Sequence, residues 1–218
     1  MSVFADFLTV PDTSRSEFKT KGSRFIGIAM PCASEEDIRR NLELVSQQYP
    51  GATHYCYAAV YGGTDRREKS SDNGEPSGTA AKPILAVIKG HGLTDTMVVA
   101  VRYFGGTLLG TGGLVHAYTQ AAEDALSSAT VKKVVACAIF SITIPYADLG
   151  GFNAKCRNLC AVPPQYEYSD VVRIEAAVPI DEKDAFIEKT QDATDRHSTI
   201  VPCGTGYRRS SPSSRAHL

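Results

Sequence analysis

Apolar positions along the chain change period several times, and each change marks an element. His54–Tyr61 alternates, with His54, Cys56, Ala58 and Val60 on one face and Tyr55, Tyr57, Ala59 and Tyr61 on the other, the period of a strand. Thr96–Tyr103 is almost continuously apolar, as in a strand covered on both faces. Arg24–Met30 reads as a further strand stopped by Pro31. Ile38, Leu42 and Val45 recur at helical spacing behind Ser34, an N-cap residue followed by Glu35, Glu36 and Asp37, where carboxylates favour the positive end of the helix dipole. Thr79–Gly90 predicts a helix carrying Pro83 in its first turn, and Gly112–Ser128 another, with small residues for close packing. Residues 1–22 read as polar and mixed, and Gly62–Lys69 as a charged loop.

Near Thr130 the pattern restarts. Lys132–Ile144 alternates until Pro145, Leu149, Phe152, Cys156, Leu159 and Cys160 form a helical stripe, and Gln165–Ser169 and Val171–Val178 read as strands. A helix over Asp181–Asp192 and a strand over Ser198–Cys203 complete a βαββαβ order, the ferredoxin-like arrangement. The expected organisation is therefore α+β in two domains, 1–129 and 133–204, followed by a disordered tail over 205–218 that is rich in Ser and Arg.

Composition adds exclusions. With a net charge of −1 and neither half carrying the excess of cations that non-specific nucleic-acid binding usually requires, the totals give it no support. Six scattered cysteines contain no CxxC pair, so buried free thiols in a reducing compartment are expected rather than a metal centre. The chain reads without a signal peptide, and no apolar run approaches the ~20 residues of a membrane span; the expected location is cytoplasmic, with no membrane partner.

Candidate chemistry concentrates in two polar, glycine-bearing loops, Ser70–Thr79 and Gly105–Gly113, each leading into a predicted helix where backbone N–H groups gather. The second fails both nucleotide fingerprints: it lacks the GxxxxGK[ST] spacing and lysine, and Val115 stands where the dinucleotide motif needs glycine. It reads either as a tight turn packed on its own sheet or as an anion site at a helix start, with Arg102 just upstream. Asp72-Asn73-Gly74-Glu75 does not match a calcium loop and reads as a turn capped by its own side chains. His54 has no nucleophile or orienting carboxylate assignable from sequence, so a strand histidine satisfied by hydrogen bonds is favoured.

SSDNGEPSGTAAKPIL and VVAVRYFGGTLLGTGGLVHAY resemble the two signature segments of the Impact/YigZ family, supported by SRFIG and HYCYA. The chain is similar to the bacterial-type two-domain members; Asn73 stands where an aspartate is usual and Ala81 where a glycine is usual. The resemblance implies an N-terminal ribosomal protein S5 domain 2-like α/β domain and a C-terminal ferredoxin-like domain, a pair similar to the last two domains of elongation factor G. In eukaryotic relatives the domain follows an RWD domain and competes for an activator of the amino-acid-starvation kinase. The chain reads without an RWD segment, so that binding role is not carried over. The resulting expectation is a non-enzymatic cytosolic protein linked to translation or translational stress control, docking on RNA, the ribosome or a regulatory protein. Its candidate binding residues are Asp72, Glu75, Ser77, Thr79, Lys82, Arg102, Tyr103, Gly105, Gly106, Gly110, Gly112 and Gly113, with no catalytic residue, metal or cofactor. The rival is a phosphate- or nucleotide-handling enzyme using the glycine-rich loop at 105–113.

Overall fold

The computed structural model describes residues 5–209 and is mixed α and β, with two sheets and five α-helices. It divides into two compact units, one spanning Phe7–Lys132 and the other built from 133 onward with residues 5–6.

In the first unit, β1 (Phe7–Thr9), β2 (Ser14–Thr20) and β3 (Ser23–Pro31) are followed by α1 (Glu35–Gln48). Then come β4 (His54–Tyr61), β5 (Arg67–Ser71), α2 (Ala81–Gly90), β6 (Thr96–Tyr103) and α3 (Gly110–Ser127). β2, β3, β6, β4 and β5 lie in that order in one antiparallel sheet. Helices α2 and α3 cover one face through Ile84, Ile88, Leu114 and Tyr118; α1 covers the other through Ile38 and Val45. Helix α1 starts where the sequence signals it. The Asp37 N–H donates to Ser34 Oγ at 3.2 Å and the Ser34 N–H to Asp37 Oδ2 at 3.0 Å, a reciprocal capping box. Helix α3 lies directly on β3, because a Cβ at Gly27 would stand 2.0 Å from the Ala121 carbonyl oxygen. Each large side chain buried between these layers stabilises the fold by roughly 1.5–3 kcal/mol.

The second unit contains β7 (Lys132–Ile144), α4 (Leu149–Lys155), β8 (Gln165–Tyr168), β9 (Val172–Pro179), α5 (Lys183–Ala193) and β10 (Thr199–Arg209). Its strand order is β10-β7-β9-β8, all antiparallel. Phe140, Phe152 and Phe186 centre its core, with ring centroids 5.8 and 6.4 Å apart across Phe186.

Three expectations need correction. Arg24–Met30 is not the first strand, since β1 and β2 precede it within the stretch read only as polar and mixed; Gly62–Lys69 is not all loop, since β5 begins at Arg67; and residues 205–209 belong to β10 rather than to a tail. β2, β5 and β10 are outer strands that are largely exposed, with Phe18 of β2 and Ile200 of β10 packing inward, so backbone ladders hold them and the mostly polar sequence gives little apolar alternation. The remainder of the expected tail, 210–218, lies outside the described residues. The stripe ending at Cys160 is also shorter than expected as a helix: α4 stops at Lys155 and a 3₁₀ turn, Arg157–Leu159, carries the chain on. Among the described residues no helix is long and apolar enough to cross a membrane.

Candidate functional site

The first loop folds around Asp72. Its carboxylate accepts N–H bonds from Gly78 at 2.9 Å, Ala80 at 2.9 Å and Ala81 at 2.8 Å, capping α2 from eight residues upstream of a helix whose own N-cap, Ala80, has no capping side chain. Burial pushes the Asp72 carboxyl up, but these three bonds and the nearby Lys82 outweigh it and hold the group below its ordinary value. Asn73 and Gly74 both take positive φ, 44° and 86°, beneath a bond from the Glu75 N–H to the Asp72 carbonyl. Asparagine tolerates that left-handed geometry, and its Oδ1 accepts the Tyr55 N–H at 2.8 Å.

This turn drives Glu75 inward. Glu75 Oε1 accepts from Arg102 Nη1 at 2.6 Å and from the Tyr118 hydroxyl at 2.7 Å, and Glu75 and Arg102 are only 9% and 4% exposed. Arg102 Nη2 donates to Ser23 Oγ at 3.3 Å, and the same oxygen accepts the Gly105 N–H. The guanidinium lies between the Phe25 and Phe104 rings, 5.4 Å from each centroid. Elements from both loops, β3, β6 and α3 therefore meet on one buried ion pair. Isolated, each of these charges would carry a desolvation penalty of several kcal/mol; here each is met by the other and by further hydrogen bonds.

His54 and Cys56 border the pair. The Asn73 carbonyl can only accept, so His54 Nδ1 donates to it at 2.8 Å, and Nε2 stands 3.7 Å from Glu75 Oε1. The Cys56 thiol donates to the Asp72 carbonyl at 2.9 Å, and burial pushes it up to about 12, so it stays protonated at neutral pH. Burial also raises Tyr118, with Cys56 and Glu75 adding to the effect.

The expected site residues thus separate. Glu75 and Arg102 come together beneath the loops, and Arg102 is committed to Glu75 and Ser23 rather than open to a phosphate. Thr79 is buried, donating to the Pro76 carbonyl at 2.7 Å, while Ser77 is exposed on the first loop and Lys82 in the first turn of α2. Tyr103 alternates to the opposite face of the sheet from Arg102, joins the cluster under α1 and donates to the Pro50 carbonyl at 3.2 Å. Ser23 and Tyr118 also belong to the network, and local sequence could not single them out, since each lies far along the chain from its partners.

The glycines differ in role. A Cβ at Gly105 would stand 1.9 Å from the Gly22 carbonyl, so this residue permits a backbone-on-backbone contact. Gly106 and Gly110 take φ of +86° and +74°. A Cβ at Gly113 would meet Leu109 Cβ at 3.1 Å. Gly112 has no positive φ, and nothing lies within 4 Å of its Cβ position. Above this turn Leu108 is 82% and Phe104 44% exposed, and the α3 N-cap, Leu109, supplies no side-chain bond. Among the described residues no group of His, Cys, Asp and Glu is placed to hold a metal ion.

Comparison with known proteins gives this geometry a context. Residues 21–126, which contain both loops and the buried pair, match the Impact N-terminal domain. The chain is 34% identical over 194 residues to the IMPACT family member YvyE of Bacillus subtilis, covering 89% of each chain. It is 34% identical over 174 residues to the IMPACT family member YigZ of Escherichia coli, covering 79% of this chain and 85% of that one. A crystal structure of a hypothetical protein matches with a TM-score of 0.61 at 30% identity, covering 90% of this chain and 96% of its own. The identity extends well past the matched domain, across both units, and the chain belongs to the IMPACT family.

Proposed function

We propose that the protein is a non-enzymatic binding protein of translation or its stress control, docking through the loop end of its first unit on the ribosome, RNA or a regulatory protein in the cytoplasm. One observation carries this reading. The ionisable groups of the loops are satisfied inward, Glu75 by Arg102 and Tyr118 and Asp72 by three N–H groups, while Phe104 and Leu108 stand outward. Such a layout suits a rigid recognition surface better than a reaction centre, which keeps titratable groups open to substrate. The strand order β10-β7-β9-β8 with its β–α–β–β–α–β sequence supports a ferredoxin-like second unit, and family membership supports an S5 domain 2-like first unit. The likeness of that pair to translation-factor domains is an analogy of fold. Affinity capture from a lysate, with and without nuclease, tests the reading: ribosomal proteins that persist without nuclease and vanish with it indicate RNA, and one soluble protein indicates regulation.

The rival reading, a phosphate- or nucleotide-handling enzyme at residues 105–113, is favoured by Gly112, which neither conformation nor packing explains, at the start of a helix without a side-chain cap. Phosphate or nucleotide titration, followed by assay for hydrolysis, separates the two.

A further inference from the structure

Three tyrosines of the second unit form an exposed aromatic cluster. Tyr146 opens the 3₁₀ turn Tyr146–Asp148 that follows β7, and Tyr166 and Tyr168, two apart on β8, share one face of that strand. The Tyr168 ring stands 6.3 Å, centroid to centroid, from each of the others, inclined by 24° to Tyr146 and 12° to Tyr166. Tyr168 is 60% and Tyr146 50% exposed, whereas Tyr166 packs partly against the core around Phe152 and Phe186. β8 is an outer strand, so among the described residues no further strand lies beyond it.

Two of the rings are fixed through their hydroxyls. Tyr146 donates to the Ser169 carbonyl at 2.8 Å, and Tyr166 to Asn153 Oδ1 on α4 at 2.6 Å. Among the described residues the Tyr168 hydroxyl makes no such bond and faces solvent. Rings held in place, with a large apolar area and one free donor, lose little entropy on binding. The segments that carry them, 146–148 and 165–171, contain Asp148, Glu167 and Asp170 and no lysine or arginine. His197 pairs with Asp148, Arg173 pairs with Glu167, and Arg157 lies near Tyr166. Asp170 is exposed and, among the described residues, in no ion pair.

We infer that the tyrosine cluster at β8 binds a proline-rich peptide in the polyproline II conformation, with a basic side chain of the peptide meeting Asp170. Polyproline II rises about 3.1 Å per residue, so two residues span about 6.2 Å. Both ring pairs have that spacing, 6.3 Å. The polyproline helix makes no internal hydrogen bonds, so its carbonyls are free to accept from the Tyr168 hydroxyl. Aromatic surfaces recognise such segments because the ligand is ordered before it binds. A nucleic-acid strand would stack on the same rings, but it would bring phosphates to segments that carry three carboxylates and no cation of their own. This surface is separate from the loop end, and the inference does not rest on the function proposed for that end.

The test is fluorescence anisotropy of a labelled oligoproline of about ten residues with a terminal arginine, titrated with the full chain. Saturable binding is expected. Tyr168→Ala weakens it at least about tenfold and leaves the melting temperature unchanged, because that ring is mostly outside the core. Tyr168→Phe keeps the ring, removes the donor and weakens binding about two- to fivefold. Asp170→Lys weakens the arginine-bearing peptide at least about threefold and leaves an oligoproline without arginine within about twofold. Leu108→Asp leaves peptide affinity within about twofold of wild type. Absence of saturable binding by the wild type, or equal affinity of Tyr168→Ala, overturns the inference. So does a glycine–serine peptide with the same arginine that binds as tightly, or an oligouridylate that binds more tightly than the oligoproline.

Discussion

Arg102 Nη1 donates to Glu75 Oε1 at 2.6 Å although the two residues are 27 apart in sequence, and this contact joins the two glycine-bearing loops beneath their exposed surfaces. Truncating one partner leaves the other charge buried and unmatched. Glu75→Ala is therefore expected to destabilise the first unit by about 3–5 kcal/mol, while Glu75→Leu/Arg102→Met recovers most of that loss. Denaturant unfolding of the two variants and wild type checks the relation; a double variant no more stable than Glu75→Ala would contradict it.

Asp72 gives the fold a specific acid sensitivity. Its folded-state value is lowered from an ordinary 3.8, so the stability it contributes is complete above that value and is lost as pH falls through the lower folded one. Asp72→Asn is expected to lower stability at neutral pH by about 1 kcal/mol, the scale of a lost helix cap, and to flatten the loss of stability below about pH 4. Unfolding measured between about pH 3 and 7 tests both parts.

Two glycines of one turn are expected to respond in opposite senses. Gly105→Ala forces a carbon to within 1.9 Å of the Gly22 carbonyl, so the backbone must move, and a loss of about 1–3 kcal/mol or more follows. Gly112→Ala meets open space in a helical conformation and is expected to stabilise by up to about 1 kcal/mol. Thermal melts distinguish them by sign.

Thiol reactivity reports packing. Cys32, Cys56, Cys137, Cys156 and Cys160 are buried and Cys203 is exposed, and burial pushes Cys32, Cys56 and Cys160 up to about 12. Cys203 alone is expected to react rapidly with a disulfide reagent in the native protein, and all six in denaturant. A second fast native thiol would show that a core assigned here opens.

What the sequence disclosed follows the range of the interactions. The α1 cap joins Ser34 to Asp37 within one turn, and β4 and β6 are covered on both faces, so each leaves its period in the residues. The turn around Asp72 was legible because Asp, Asn and Gly each favour such geometry. Glu75 was not legible as a buried residue: its partners are 27 and 43 positions away, and a carboxylate in a polar loop reads as exposed. Strands β2 and β5 and the end of β10 beyond Cys203 were hidden for the complementary reason, being held by backbone ladders while most of their side chains stay in water.

The most direct test of a binding role centred on the loop end is sedimentation of ribosomes and affinity capture with wild type and Leu108→Asp in parallel. Leu108 is 82% exposed, so an aspartate there leaves folding within about 0.5 kcal/mol of wild type. Capture by the wild type and its loss in the equally stable variant is the predicted result. Equal capture by both proteins, or turnover of a phosphate compound that survives Leu108→Asp and fails in Gly112→Val, would contradict a docking surface and favour an enzyme.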